Sequence, residues 1–140
     1  MFFANPKHII FYEKTGCGGN QRQKELLKKH HISLDVRSLL ETTWDEKSLT
    51  PFFEGLSVTE MINPFAPQVT NKELDVSQFS KEALIAKMIQ EPLLIKRPLL
   101  QIGEHKICGF DIAQINTLLG TSINSEKNIN ACLSSDNCTK

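Results

Sequence analysis

No charge of either sign dominates this chain: sixteen lysines and arginines meet sixteen aspartates and glutamates across 140 residues. A balanced surface argues against wrapping nucleic acid or docking on an anionic membrane, since both depend on clustered cations. Long apolar runs are missing too, and none approaches the roughly 20 residues that span a bilayer. The opening Met1-Phe2-Phe3-Ala4-Asn5-Pro6 lacks the positive flank and extended apolar stretch of an export signal. The expectation is a cytoplasmic protein, with neither membrane nor nucleic acid among its partners. Cysteine is sparse. Cys17, Cys108, Cys132 and Cys138 form no C-x-x-C and no zinc-type Cys/His spacing. Without an export signal their even number does not imply a disulfide framework. His30-His31 is the only histidine cluster, and neighbours at a helix end face apart. No metal site and no tightly bound cofactor are expected.

What the chain does have is a regular succession of strand and helix signals. His8 to Tyr12 is a short apolar run of strand formers, and Asn20 to His30 turns helical, with Leu26 and Leu27 inward and lysines outward. Ile32 to Arg37 alternates as a half-buried strand, so the thirty residues from His8 to Arg37 read as a right-handed β-α-β unit. Thr43-Trp44-Asp45-Glu46 and Ser57-Val58-Thr59-Glu60 look like capping boxes, and Thr50-Pro51 like another helix start. Asn63 to Ser80 holds two prolines and little periodicity, which suggests a surface loop. Ser80 caps a helix over Lys81 to Gln90. Pro92 and Pro98 bracket an extended lead-in, Leu93 to Lys96, before a third strand at Leu99 to Ile102. A fourth strand follows at Lys106 to Gly109, then a helix capped by Asp111 and ended by Gly120. Residues 121–140 are Ser/Asn-rich and aperiodic, the pattern of a mobile tail. Trp44, Phe52 and Phe53 are expected to pack beneath the inserted helices.

The fold class that follows is α/β, thioredoxin-like: a four-stranded mixed sheet with helices on both faces and a helical insertion at about 43–90, within one domain spanning 1–120. The chemistry concentrates at Tyr12 to Lys24. There Cys17 sits between glycines where a strand turns into a helix, in reach of the helix's unpaired N–H groups. Those donors and the helix dipole favour thiolate, the reactive form. The amides of Gly18, Gly19 and Asn20 offer an anion nest. Pro98 stands just before the third strand as a cis-proline candidate. Two readings fit Cys17: a low-pKa nucleophile, or an inherited thiol in a glycine turn with no chemistry left. Cys108 reads as a small buried hydrophobe, and Cys132 and Cys138 as either resolving thiols or an unused pair.

Residues 7–120 resemble the arsenate reductase-like (ArsC/Spx) group of thioredoxin-fold proteins. The Arg22-Gln23-Lys24 run, Ile62 to Pro67 and Pro92 to Leu99 look most like its nitrogenase-associated branch. The resemblance implies that Cys17 is the nucleophile and that Arg97 is one of three arginines holding the oxyanion. Glutathione, as co-substrate, and glutaredoxin would complete a reduction. Two further family arginines fall at about Asn63 and at Gly109, and Glu13 stands where the reductases have histidine. Each charge-assisted hydrogen bond is worth about 1.5–3 kcal/mol, so losing two implies a weak hold on arsenate, unless Lys14, Arg22 or Lys106 compensates. Spx-type members bind RNA polymerase and sense oxidation through C-x-x-C. Asn20 replaces their second cysteine, which leaves a non-enzymatic adaptor for RNA polymerase or a nitrogenase-type assembly as the alternative to a thiol oxidoreductase.

Overall fold

The computed structural model describes residues 7–124 and residue 129; Cys132 and Cys138 lie outside them. Four strands make one sheet in the order β2-β1-β3-β4, with β1 at His8–Glu13, β2 at Ser33–Ser38, β3 at Leu99–Ile102 and β4 at His105–Cys108. β1 and β2 run parallel in the register Ile9↔Leu34, because the helix α1 (Gly18–Lys29) carries the chain back between them. β3 is antiparallel to both neighbours, with Tyr12↔Leu99 on one side and Leu99↔Cys108 on the other. The sheet is therefore mixed, as the sequence implies.

Period-two alternation splits the sheet into two apolar faces. Ile9 and Phe11 of β1 join Leu100 and Ile102 of β3 against Leu26 and Leu27 of α1, together with Ile115 of α6 (Ile112–Leu119). Tyr12 and Leu99 face the other way, into a core built by the inserted segment: Trp44, Leu49, Phe52, Phe53, Met61, Leu84 and Met88. There Tyr12, Trp44 and Phe52 meet with ring centroids 5.0–5.8 Å apart in tilted and edge-on geometry. The Trp44 indole N–H donates to the Leu39 carbonyl at 2.9 Å, so burial leaves it satisfied.

The insertion consists of short helices: α2 (Glu46–Leu49), α3 (Val58–Met61), α4 (Pro67–Thr70) and α5 (Lys81–Gln90). Several local expectations shift here. The cap of α2 is Asp45 rather than Thr43, since its carboxylate accepts from the Ser48 N–H at 2.7 Å while the Ser48 hydroxyl accepts from the Asp45 N–H. Thr50 is not the expected N-cap but the C-cap of α2, which runs straight into a 3-10 helix over Thr50–Phe53. The stretch after Asn63 is no plain loop, as it contains α4 and a 3-10 turn at Val76–Gln78. Nor is Leu93 extended. Pro92 starts a 3-10 turn through Leu94, and the chain straightens only at Ile95, which bridges to Ile62. Ser80, Asp111 and Gly120 end their helices as expected, Gly120 at φ 68°. Beyond it, Ile123 and Ile129 are buried in the same core as Leu26, Leu27 and Ile107, so these two positions of the stretch read as a tail are docked. Among the described residues no helix is long and apolar enough to cross a membrane.

Candidate active site

One end of the sheet gathers the residues singled out in the sequence. β1 ends there at Glu13, β3 begins there after Arg97-Pro98, and β4 ends there at Cys108-Gly109, because β3 runs against both. The Arg97–Pro98 peptide is cis, and the Pro98 carbonyl accepts from the Gly109 N–H at 2.8 Å, closing this end between β3 and β4.

The Cys17 turn is built by backbone geometry. Gly16 takes φ 87°, a conformation that side chains disfavour, so the chain reverses before Cys17. The Cys17 N–H then donates to the Lys14 carbonyl at 3.0 Å, and Cys17 becomes the N-cap of α1 at φ −78°, ψ 115°. The first helical bond runs from the Gln21 N–H to the Cys17 carbonyl, which leaves Gly18, Gly19 and Asn20 without an acceptor inside the helix. These are the three residues singled out in the sequence as an anion nest. Cys17 itself is 5% exposed.

Asn20 does more than lend an amide. Its side-chain oxygen accepts from the Lys14 N–H at 3.0 Å, and its amide nitrogen donates to Gln23 Oε1 at 3.1 Å. Gln23 Nε2 in turn donates to the Ile129 carbonyl at 2.9 Å. This relay of buried amides ties the Cys17 turn through α1 to a residue 106 positions away, and sequence reasoning missed it. Glu13, the residue most threatening to a thiolate, forms an ion pair with Lys24 in α1, so its charge is matched locally. Lys106 stands over the Phe52 ring, 5.7 Å from its centroid, on the face opposite α1.

The positions where family arginines are absent have specific local roles. Asn63 is 3% exposed and stitches two segments: its amide nitrogen donates to the Leu93 carbonyl at 3.1 Å, and its oxygen accepts from the Phe65 N–H at 3.0 Å. Gly109 has φ 89°, and a Cβ built on it would lie 3.5 Å from Lys96 Cε and 3.8 Å from Lys96 Nζ. The second thiol, Cys108, donates to the Lys96 carbonyl at 3.6 Å. Burial pushes it up to about 12, with the Lys96 cation pulling the other way. No cluster of three or more metal-ligating side chains occurs among the described residues.

Comparison with known proteins places this geometry. A solved arsenate reductase from Vibrio cholerae superposes with a TM-score of 0.67 at 24% identity, over 82% of this chain and all of that one. By sequence, the uncharacterized 15.7 kDa protein in the draG 3′ region of Rhodospirillum rubrum is 34% identical across 89% of this chain and 87% of its own length. The global transcriptional regulator Spx 2 of Bacillus cereus is 23% identical over 86% of this chain and 94% of its own. The ArsC family model matches residues 12–118, from the last turn of β1 to the end of α6, and the chain belongs to the ArsC family.

Proposed function

We propose that the protein is a thiol oxidoreductase of the cytoplasm whose nucleophile is Cys17. The observation that carries this reading is Cys17 at the N-cap of α1, followed by three N–H groups with no acceptor inside the helix. Thiolate is favoured by such donors. The Cys17 sulfur attacks one sulfur of a disulfide such as glutathione disulfide. That S–S bond breaks, one glutathione leaves as thiolate, and a Cys17–glutathione disulfide remains. A second thiol, from glutathione, glutaredoxin or Cys132 or Cys138 of the same chain, then either attacks the glutathione sulfur, taking it into a new disulfide and releasing Cys17 as thiolate, or attacks the Cys17 sulfur, forming a disulfide to Cys17 and releasing glutathione as thiolate. Arg97 and the amides of Gly18, Gly19 and Asn20 hold the anionic partner. Arsenate is a poor substrate in this reading, because Asn63 and Gly109 supply no guanidinium. Titrating thiolate absorbance in wild type and Cys17→Ser tests the proposal. A Cys17-dependent step below the free-thiol value of about 8.5 supports it, and a step at or above that value overturns it.

A second reading is favoured by the Spx 2 relative and by the regulatory protein MgsR of Bacillus subtilis, 21% identical over 78% of this chain. Here the fold is an adaptor for a protein partner, with RNA polymerase or a nitrogenase-type assembly as the classes implied by resemblance. Such a partner should be retained in pull-downs by Cys17→Ser, whereas a mixed-disulfide partner should be lost.

A further inference from the structure

At the end of the sheet where β1 and β4 both finish, a cleft of about 410 Å³ opens between β4, α3 and the start of α6. Lys96, Arg97, Gly109, Phe110, Glu60 and Gln114 are among the residues that line it. Three observations single out Lys96. Its backbone is fixed at both ends, the N–H donating to the Met61 carbonyl at 3.0 Å and the carbonyl receiving the Cys108 thiol. Its side chain passes over Gly109, where an added Cβ would be in ordinary contact, 3.5 Å from Cε and 3.8 Å from Nζ. And no hydrogen bond or ion pair within 4.0 Å occupies that ammonium among the described residues.

The nearby carboxylates are otherwise engaged. Glu60 Oε1 accepts from both the N–H and the hydroxyl of Ser57, and Asp111 accepts from the Gln114 N–H as the cap of α6. Lys96 is nevertheless close enough to Glu60 for its charge to help, after the Ser57 hydrogen bonds, to hold that carboxyl below its usual range. The cleft thus presents two consecutive cations, Lys96 and Arg97, above a glycine that leaves the space open. Its volume falls at the low end of the roughly 300–1,000 Å³ typical of small-molecule sites, far more than one inorganic oxyanion fills. Phe110 and Leu56 add apolar wall. An ammonium is a compact point charge rather than a planar fork, and it suits a single anionic end group.

We propose that this cleft is a subsite for the carboxylate of a small organic co-substrate, with Lys96 supplying the charge and Gly109 the room. The assignment deepens the proposed thiol chemistry and rests on it for its purpose, while the binding itself needs no reactive sulfur. S-methylglutathione, which carries carboxylates but no thiol, is the probe, with acetate and inorganic phosphate alongside. Affinity is measured by isothermal titration calorimetry in wild type, in Cys17→Ser and in the Lys96 variants, and the Lys96 side-chain NMR signals locate the binding in the two chains that keep Lys96. The expected result is saturable S-methylglutathione binding in both, weaker acetate binding at the same signals, and a loss of about ten- to a hundredfold in Lys96→Met that Lys96→Arg restores in part. Lys96→Met keeps the aliphatic stem, and circular dichroism confirms its fold. Unchanged affinity in a folded Lys96→Met, no shift of Lys96 with any probe, or phosphate binding tighter than S-methylglutathione each overturns the subsite. Should Cys17 prove unreactive while Lys96 still binds the probe, the oxidoreductase reading fails and the subsite stands.

Discussion

Cys17 follows the end of β1 and Cys108 ends β4, two strands that point the same way, each beside a glycine at the same end of the sheet, and their surroundings are opposite. Cys17 opens a helix, and the groups that follow it are N–H donors without helical acceptors. Cys108 closes a strand, where burial drives it toward the protonated form against the pull of the Lys96 cation. Its thiol donates to the Lys96 carbonyl, an acceptor that has use for the proton. The pair teaches that a cysteine beside a glycine carries no chemistry by itself. Burial and the groups it faces decide together.

The sharpest test of that contrast is alkylation by iodoacetamide at pH 7 in a chain carrying Cys132→Ser and Cys138→Ser. With a pKa of about 12, Cys108 holds roughly one thiolate in 10⁵ at that pH, so modification should fall on Cys17 by orders of magnitude, and Cys17→Ser should abolish it. Mass spectrometry of the labelled peptides reads the ratio, and comparable labelling of the two would break the contrast.

Removing the brace of the turn comes next. Asn20→Ala leaves the Lys14 N–H without its acceptor in a buried place, and urea unfolding should register a loss of about 1–3 kcal/mol. The same substitution should slow Cys17 alkylation, whereas Asn63→Ala, of similar stability cost, should leave the Cys17 rate alone.

Cys108 also sets an alkaline limit. Its folded pKa is raised above the ordinary 9.0, so the unfolded chain releases a proton that the folded chain keeps. Its contribution is full below pH 9 and lost as pH climbs toward 12, at about 1.4 kcal/mol per pH unit. Cys108→Ala should flatten that part of a stability–pH curve, and Cys17→Ser should not. The smallest effect concerns Lys24→Met, which leaves the Glu13 carboxylate unmatched near the turn. A few-fold slower Cys17 alkylation is expected, restored by the double variant with Glu13→Gln.

Much of this was legible in the sequence wherever the cause was local. The cap at Ser80, the Asp111–Gly120 helix bounds and the strand runs at His8 and Leu99 are decided by neighbours within a few positions, and they form where expected. The Cys17 turn was readable because Gly16, Gly18 and Gly19 write its geometry into four residues. What stayed hidden depends on partners far along the chain. Nothing beside Asn63 says that its amide will bind Leu93, and nothing beside Gly109 says that Lys96 will lie over it. Leu93 and Leu94 misled because strand formers after a proline were outweighed by the 3-10 turn that Pro92 begins.

The hydrogen bond from Gln23 to the Ile129 carbonyl has a consequence for cooperativity. The buried carbonyl of Ile129 is thereby held by the same helix that Cys17 opens, so loosening of α1 and release of residue 129 become one event rather than two. Cutting the chain after residue 124 would remove the last link of the amide relay.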